Sequence, residues 1–167
     1  MRTDAPEILA LCDQLAQALK SRGWMMASAE SCTGGLIAAC CTGLSGSSEW
    51  FERGFVTYSN AAKTELLGVP APLIGAHGAV SEAVARAMAL GALTHSKAQV
   101  SVAVTGVAGP SGGSAEKPVG TVWFGWAIQG QAWTARQRFD GDRDAVRSAT
   151  IEHGLQGLLD RLAQTAC

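Results

Sequence analysis

Apolar side chains recur at helical spacing near the start of the chain: Ile8, Leu9, Cys12, Leu15, Ala16 and Leu19 share one face, and Gly23 follows as a stop. Asp4 can cap the backbone N–H groups of this first helix, Pro6 suits its first turn, and Glu7 suits its positive end. The pattern then changes to a short apolar run, Trp24-Met25-Met26-Ala27-Ser28, suited to a buried strand. It leads through Ala29-Glu30-Ser31-Cys32-Thr33-Gly34-Gly35 into a helix-like stretch over residues 36–41. A second unit follows the same plan, with a β-type run closing on Tyr58 and a helix capped by Ser59 or Asn60 that carries Lys63 just over a turn in. Beyond Pro70 and Pro72, Ser81 can cap a helix whose Val84, Ala85, Met88 and Ala92 form an apolar stripe. Residues 100–104, Val-Ser-Val-Ala-Val, make the clearest buried strand, and it empties into a glycine-rich segment over 105–114. Residues 120–128 and 132–139 read as two strands joined at Gln129-Gly130-Gln131, a hairpin. From Arg143 onward, Val146, Ile151, Leu155, Leu158, Leu159 and Leu162 form a closing amphipathic helix. Alternating helices and strands with one hairpin predict an α/β fold, a mixed sheet covered by helices on both faces.

Length and composition narrow this picture to one domain spanning residues 1–167. A chain of 167 residues, 47% hydrophobic and 16% charged, can bury a single core without disulfides or a structural metal. A net charge of -1 gives no overall attraction to nucleic acid or to an anionic membrane, and no basic stripe supplies a local one. The opening Met1-Arg2-Thr3-Asp4-Ala5-Pro6-Glu7 lacks the basic start and apolar run of a signal peptide, and Gly, Ser, Thr and Pro break every long uncharged stretch. Five cysteines, Cys12, Cys32, Cys40, Cys41 and Cys167, form no C-x-x-C pair and read as free thiols of a cytoplasmic protein. His77, His95 and His153 are scattered, so no metal site is assigned.

In α/β sheets, ligands bind beyond the carboxyl ends of strands, and three unusual segments are predicted there: residues 30–35, 58–63 and 105–113. Helix ends at the first two would aim N–H groups into a shared crevice, which suits a phosphate or a developing oxyanion. The glycine-rich segment is open between an anion-binding nest and a flexible connection; it is neither a P-loop nor a G-x-G-x-x-G fingerprint. Ser31 is open between a helix cap and a nucleophile, because no Gly-x-Ser-x-Gly elbow surrounds it and no histidine stands nearby in sequence. Cys32 is an alternative nucleophile, since a helix N-terminus lowers thiol pKa. Lys63 is open between a solvated helix lysine and a general base. The second role requires its pKa to fall by roughly 3 units from about 10.4, which only a dry site provides.

Six segments taken together carry a resemblance. They are residues 29–35, Ser45-Gly46-Ser47-Ser48, Gly54 through Lys63, Gly78-Ala79-Val80-Ser81, Thr105-Gly106-Val107-Ala108-Gly109-Pro110, and Lys117-Pro118-Val119-Gly120-Thr121-Val122. Their order and spacing resemble the CinA C-terminal domain family over about nine-tenths of the chain. The resemblance implies a three-layer α/β/α sandwich with a mixed, mostly parallel sheet. It also implies nicotinamide-nucleotide amidohydrolase activity: hydrolysis of the carboxamide of nicotinamide mononucleotide in the bacterial pyridine nucleotide cycle of NAD salvage, with no metal or cofactor. Longer relatives place another domain before this one, so the stand-alone form is expected here. Carried onto matching positions, it implies Ser31 as nucleophile, Lys63 as base and Tyr58 as a proton relay or orienting hydroxyl. Glu30, Thr33, Gly34, Ser48, Thr105 and Gly106 are expected to face the substrate, and Arg143 is added because a guanidinium can hold a phosphate. A homo-oligomer, dimer or higher, is expected from the family alone. Two rivals remain at this point: a non-catalytic nucleotide- or phosphate-binding module, and an amidase for another small amide.

Overall fold

The computed structural model describes residues 5–165. In chain order the elements are α1 (Pro6–Lys20), β1 (Met26–Glu30), α2 (Leu36–Thr42), a single 3-10 turn (Ser47–Glu49), β2 (Phe51–Val56), α3 (Asn60–Leu67) and α4 (Ala71–His77). They continue with α5 (Glu82–Thr94), β3 (Val100–Gly106), β4 (Thr121–Ile128), β5 (Gln131–Arg138) and α6 (Arg143–Gln164). The sheet order is β2-β1-β3-β4-β5, with β1 parallel to both β2 and β3, and β4 antiparallel to both of its neighbours. Four of the five strands therefore share one direction. No helix among the described residues is long and apolar enough to cross a membrane.

The pleat of the strands sorts their side chains into two cores. Val100, Val102 and Val104 of β3 join Phe124 and Trp126 of β4 in a core covered by α1, α2 and α6. Ala27, Ala29, Ala103 and Ala127 face the other way, toward Val84 and Met88 of α5 and toward α3 and α4. The small side chains on that second face bring α5 close to the sheet: a Cβ on Gly125 would overlap the Ala85 carbonyl. Three layers follow, as expected.

The connections place the site. The β1–α2–β2 crossover and the β2-to-β3 crossover through α3, α4 and α5 run outward from β1 in opposite directions, so their helices fall on opposite faces. The loops that leave the carboxyl ends of β1 and β2 therefore turn toward opposite faces, and the crevice opens beside them at the tip of β3, whose own chain continues to antiparallel β4.

Several elements differ from the sequence expectations. The first strand lies two residues later than the run that announced it, and so includes Glu30. β2 starts at Phe51 and stops at Val56, which leaves Tyr58 beyond the strand. α4 was not expected at all. In α1 it is Leu11 that is buried, while Leu9 is only half-buried; the expected Asp4 cap and Cys167 lie outside the described residues. The hairpin closes tightly at Gln129 and Gly130, both with positive φ (48° and 88°), the backbone of a two-residue turn that matches the twist of its strands.

Candidate active site

Ser31 is the first residue beyond β1, and the sheet ladder continues past the strand end to hold it. Its N–H donates to Val104 O at 3.0 Å, while Thr57 N–H donates to Glu30 O at 2.8 Å. The tips of β2, β1 and β3 are thereby locked side by side. Ser59 caps α3 by accepting from Ala62 N–H at 3.0 Å, and this fixes where the helix begins. Lys63, on the first turn of that helix, then lies under it with 1% of its surface exposed. Its Nζ sits 3.1 Å from Ser31 Oγ and donates to Thr57 O at 2.9 Å. Among the described residues no carboxylate pairs with it. Burial therefore acts almost unopposed and lowers the lysine pKa, with only a small upward pull from Cys32.

These groups open into a cleft of about 360 Å³, within the usual range for a small-molecule site. Thr105, Gly106, the start of the glycine-rich segment, Tyr58 and Arg143 line it as well. Thr105 is buried, and its hydroxyl donates to Ala79 O at 2.8 Å. Gly106 must be glycine because a Cβ there would press on Val122 of β4. Arg143 donates from Nη1 to Gly109 O at 2.9 Å and from Nη2 to Tyr58 Oη at 3.1 Å. Tyr58 is 61% exposed, so its hydroxyl belongs to the rim and is held by Arg143. Among the described residues no histidine lines the cleft.

Four expected substrate contacts lie elsewhere. Glu30 is fully buried behind the cleft, and its carboxylate accepts from Ser28 Oγ (3.1 Å), Thr33 Oγ1 (2.7 Å), Ile37 N–H (2.8 Å) and Ala38 N–H (3.0 Å). Thr33 is buried with it, and Gly34 supplies a left-handed turn (φ 62°) without lining the cleft. The N-terminus of α2, expected to point at the ligand, is thus occupied internally by Glu30. Ser48 sits in the 3-10 turn before β2, at the amino end of the parallel strands and so at the opposite edge of the sheet from the cleft. Cys32 is also corrected: burial pushes its thiol up to about 12, with a further push from the Glu30 charge, and the helix end that was expected to lower it lies four residues on, its free N–H groups serving Glu30.

One residue escaped the sequence reading. Arg147, one helical turn beyond Arg143, donates from Nη2 to Thr33 O at 3.0 Å and so grips the turn that follows Ser31. The signal was present as an i,i+4 pair of arginines on the first turns of α6, just after its Asp142 cap.

The CinA C-terminal domain model matches residues 9–162. The chain belongs to that family. Among its relatives is the nicotinamide-nucleotide amidohydrolase PncC of Enterobacter agglomerans, 58% identical over 147 residues that cover 87% of this chain and 90% of the relative. PncC of Escherichia coli (strain K12) is 52% identical over 159 residues, covering 95% and 96%. The crystal structure of the competence/damage inducible protein CihA from Agrobacterium tumefaciens superposes with a TM-score of 0.92 at 44% identity, over 98% of this chain and all of that one, and that of a competence-damaged protein (CinA) superfamily protein from Klebsiella pneumoniae 700603 with a TM-score of 0.91 at 40% identity, over 95% and 99%. The mixed five-stranded sheet with helices on both faces is therefore the fold of CinA-superfamily proteins.

Proposed function

We propose that this chain is a nicotinamide-nucleotide amidohydrolase, converting nicotinamide mononucleotide to nicotinate mononucleotide and ammonia with Ser31 as nucleophile and Lys63 as base. The relatives' names support the substrate. The observation that carries the chemistry is a buried lysine amine, its pKa lowered, 3.1 Å from a serine hydroxyl at the tip of a central strand.

Neutral Lys63 accepts the Ser31 proton as Oγ attacks the carboxamide carbon. The remaining Nζ hydrogens hold the amine in place through Thr57 O. Negative charge develops on the carboxamide oxygen and calls for N–H donors; those of Ser31, Gly34, Val107, Ile37 and Ala38 are already engaged within the protein, so the others of the Ser31 turn and of the glycine-rich segment take that part. The Lys63 ammonium returns its proton to the nitrogen, and ammonia leaves an acyl-enzyme. Water then adds to the acyl carbon, with Lys63 taking its proton, and collapse releases nicotinate mononucleotide and Ser31. The direct contact between Nζ and Oγ favours this route over a relay through Tyr58, whose hydroxyl is engaged by Arg143.

The deciding experiment follows ammonia and nicotinate mononucleotide formation by wild type, Ser31→Ala and Cys32→Ala after treatment with a chelator. Turnover is expected to survive the chelator and the Cys32 change and to vanish with Ser31. Binding without turnover in wild type would instead establish a nucleotide-binding module, and activity retained in Ser31→Ala but lost in Cys32→Ala would move the nucleophile by one residue.

A further inference from the structure

The turn that presents Ser31 is closed on itself and then held at Thr33. Gly34 N–H returns to Ser31 O at 3.1 Å. Thr33 gives its hydroxyl to Glu30, and its carbonyl accepts from Arg147. Glu30 is saturated by four donors. Arg147 is not: its Nε is shut off from solvent without an acceptor, and among the described residues no carboxylate pairs with the guanidinium. Half-burying a charge for one carbonyl bond, with a donor left unmatched, is a poor arrangement for stability alone. Buried unsatisfied donors in native structures call for another reason.

Position supplies one. Arg143 and Arg147 leave the same face of α6, and between them they touch all three loops of the cleft: Tyr58 after β2, Gly109 after β3, and Thr33 after β1. Gly34 turns the chain left-handed (φ 62°) directly after Thr33, and the guanidinium lies against this turn. The guanidinium's field also falls on Cys32, the nucleophile's neighbour, whose thiol it pulls down against the larger effect of burial.

The geometry points to Arg147 as the positioning residue of the nucleophile: its bond to Thr33 O fixes the turn of residues 31–34 so that Ser31 Oγ stays within reach of Lys63 Nζ. This rests on the serine–lysine reading above but not on the identity of the substrate. A fluorophosphonate probe therefore tests it directly. The Ser31 oxygen bonds to phosphorus, fluoride leaves, and Lys63 takes the hydroxyl proton, with no nucleotide required.

Arg147→Met keeps length without a donor, and Arg147→Lys keeps the charge with a single ammonium. Because misplacement by about 1 Å can cost on the order of 100-fold, Arg147→Met is expected to label Ser31 at least about 10-fold more slowly than wild type. The midpoint of its pH profile, which reports Lys63, should not move, and Arg147→Lys should fall between the two. On nicotinamide mononucleotide, kcat should drop while KM holds. Wild-type labelling by Arg147→Met would overturn the proposal, as would a shifted pH midpoint. So would an Arg147→Met protein that fails to fold beside an Arg147→Lys protein at the wild-type rate, since Arg147 would then support the fold instead. Failure of the substrate assignment shows separately, as wild-type protein that labels at Ser31 yet releases no ammonia.

Discussion

Lys63 illustrates how much a single residue's surroundings decide. In water a lysine is a cation and a poor base; here, among the described residues, the partners of its amine are a hydroxyl and a carbonyl, and burial favours the neutral form. The folded pKa is lowered, so the unfolded chain binds the proton more tightly. Stability attributable to this group then rises with pH, from the lowered folded value up to the ordinary lysine value. Lys63→Met removes the penalty, so it is expected to stabilise the protein at neutral pH by about 1 kcal/mol while abolishing turnover. Denaturant unfolding of both proteins across pH measures this, and wild type should close the gap as pH rises. A difference flat with pH would mean that Lys63 titrates normally, and the neutral-base role would fail with it. The sequence could show Lys63 just over a turn into the helix that follows Tyr58, but whether the site was dry depended on the α3 cap and the strand tips. For the same reason it could not sort Ser31 from its neighbours. Along a tight turn, successive residues face the cleft and then its backing, and Glu30, Thr33 and Gly34 fell on the backing.

At the scale of elements, α2 depends on a carboxylate from outside its own residues. Its N-cap is Gly35, which offers no side chain, and Glu30 at the end of β1 takes the first free N–H groups instead. Glu30→Gln keeps the shape but turns one acceptor oxygen into a donor facing other donors. It is expected to cost about 2–3 kcal/mol in denaturant unfolding and to speed amide exchange in α2. Unchanged stability would show that water or a rearranged turn can satisfy those N–H groups. β2 was hard to read because it is an edge strand, where Glu52, Arg53 and Gly54 interrupt the apolar pattern and Arg53 reaches outward to His95 O. α4 is hard to read because Pro70 and Pro72 look in sequence like a break between elements. They stand at its N-cap and first turn, where proline removes no helical hydrogen bond.

For the whole molecule, periodicity announced a mixed sheet with helices on both faces but not the order β2-β1-β3-β4-β5, since pairing is decided by contacts far apart in sequence; that the sheet is mostly parallel rested on the family resemblance. Charge is another property that totals conceal. The chain carries a net -1, yet among the described residues no aspartate or glutamate lines the cleft, while Arg143 brings a guanidinium there and Lys63 becomes a cation during turnover. Asp142, next to Arg143, is turned to capping α6 through Ala145 N–H. Nicotinamide mononucleotide brings a phosphate as well as a cationic pyridinium ring, whereas the corresponding riboside keeps the ring and loses the phosphate. The cleft should therefore attract the first and disfavour the second, over distances that salt shortens from about 30 Å at 0.01 M to about 3 Å at 1 M. KM for the mononucleotide is expected to rise several-fold across that range with kcat little changed, and KM for the riboside, larger throughout, should stay level or fall. Steady-state kinetics on both substrates reads the two trends. A mononucleotide KM indifferent to salt would mean that shape and hydrogen bonding select the substrate, and that the Arg143 charge serves only to hold Gly109 and Tyr58 at the rim.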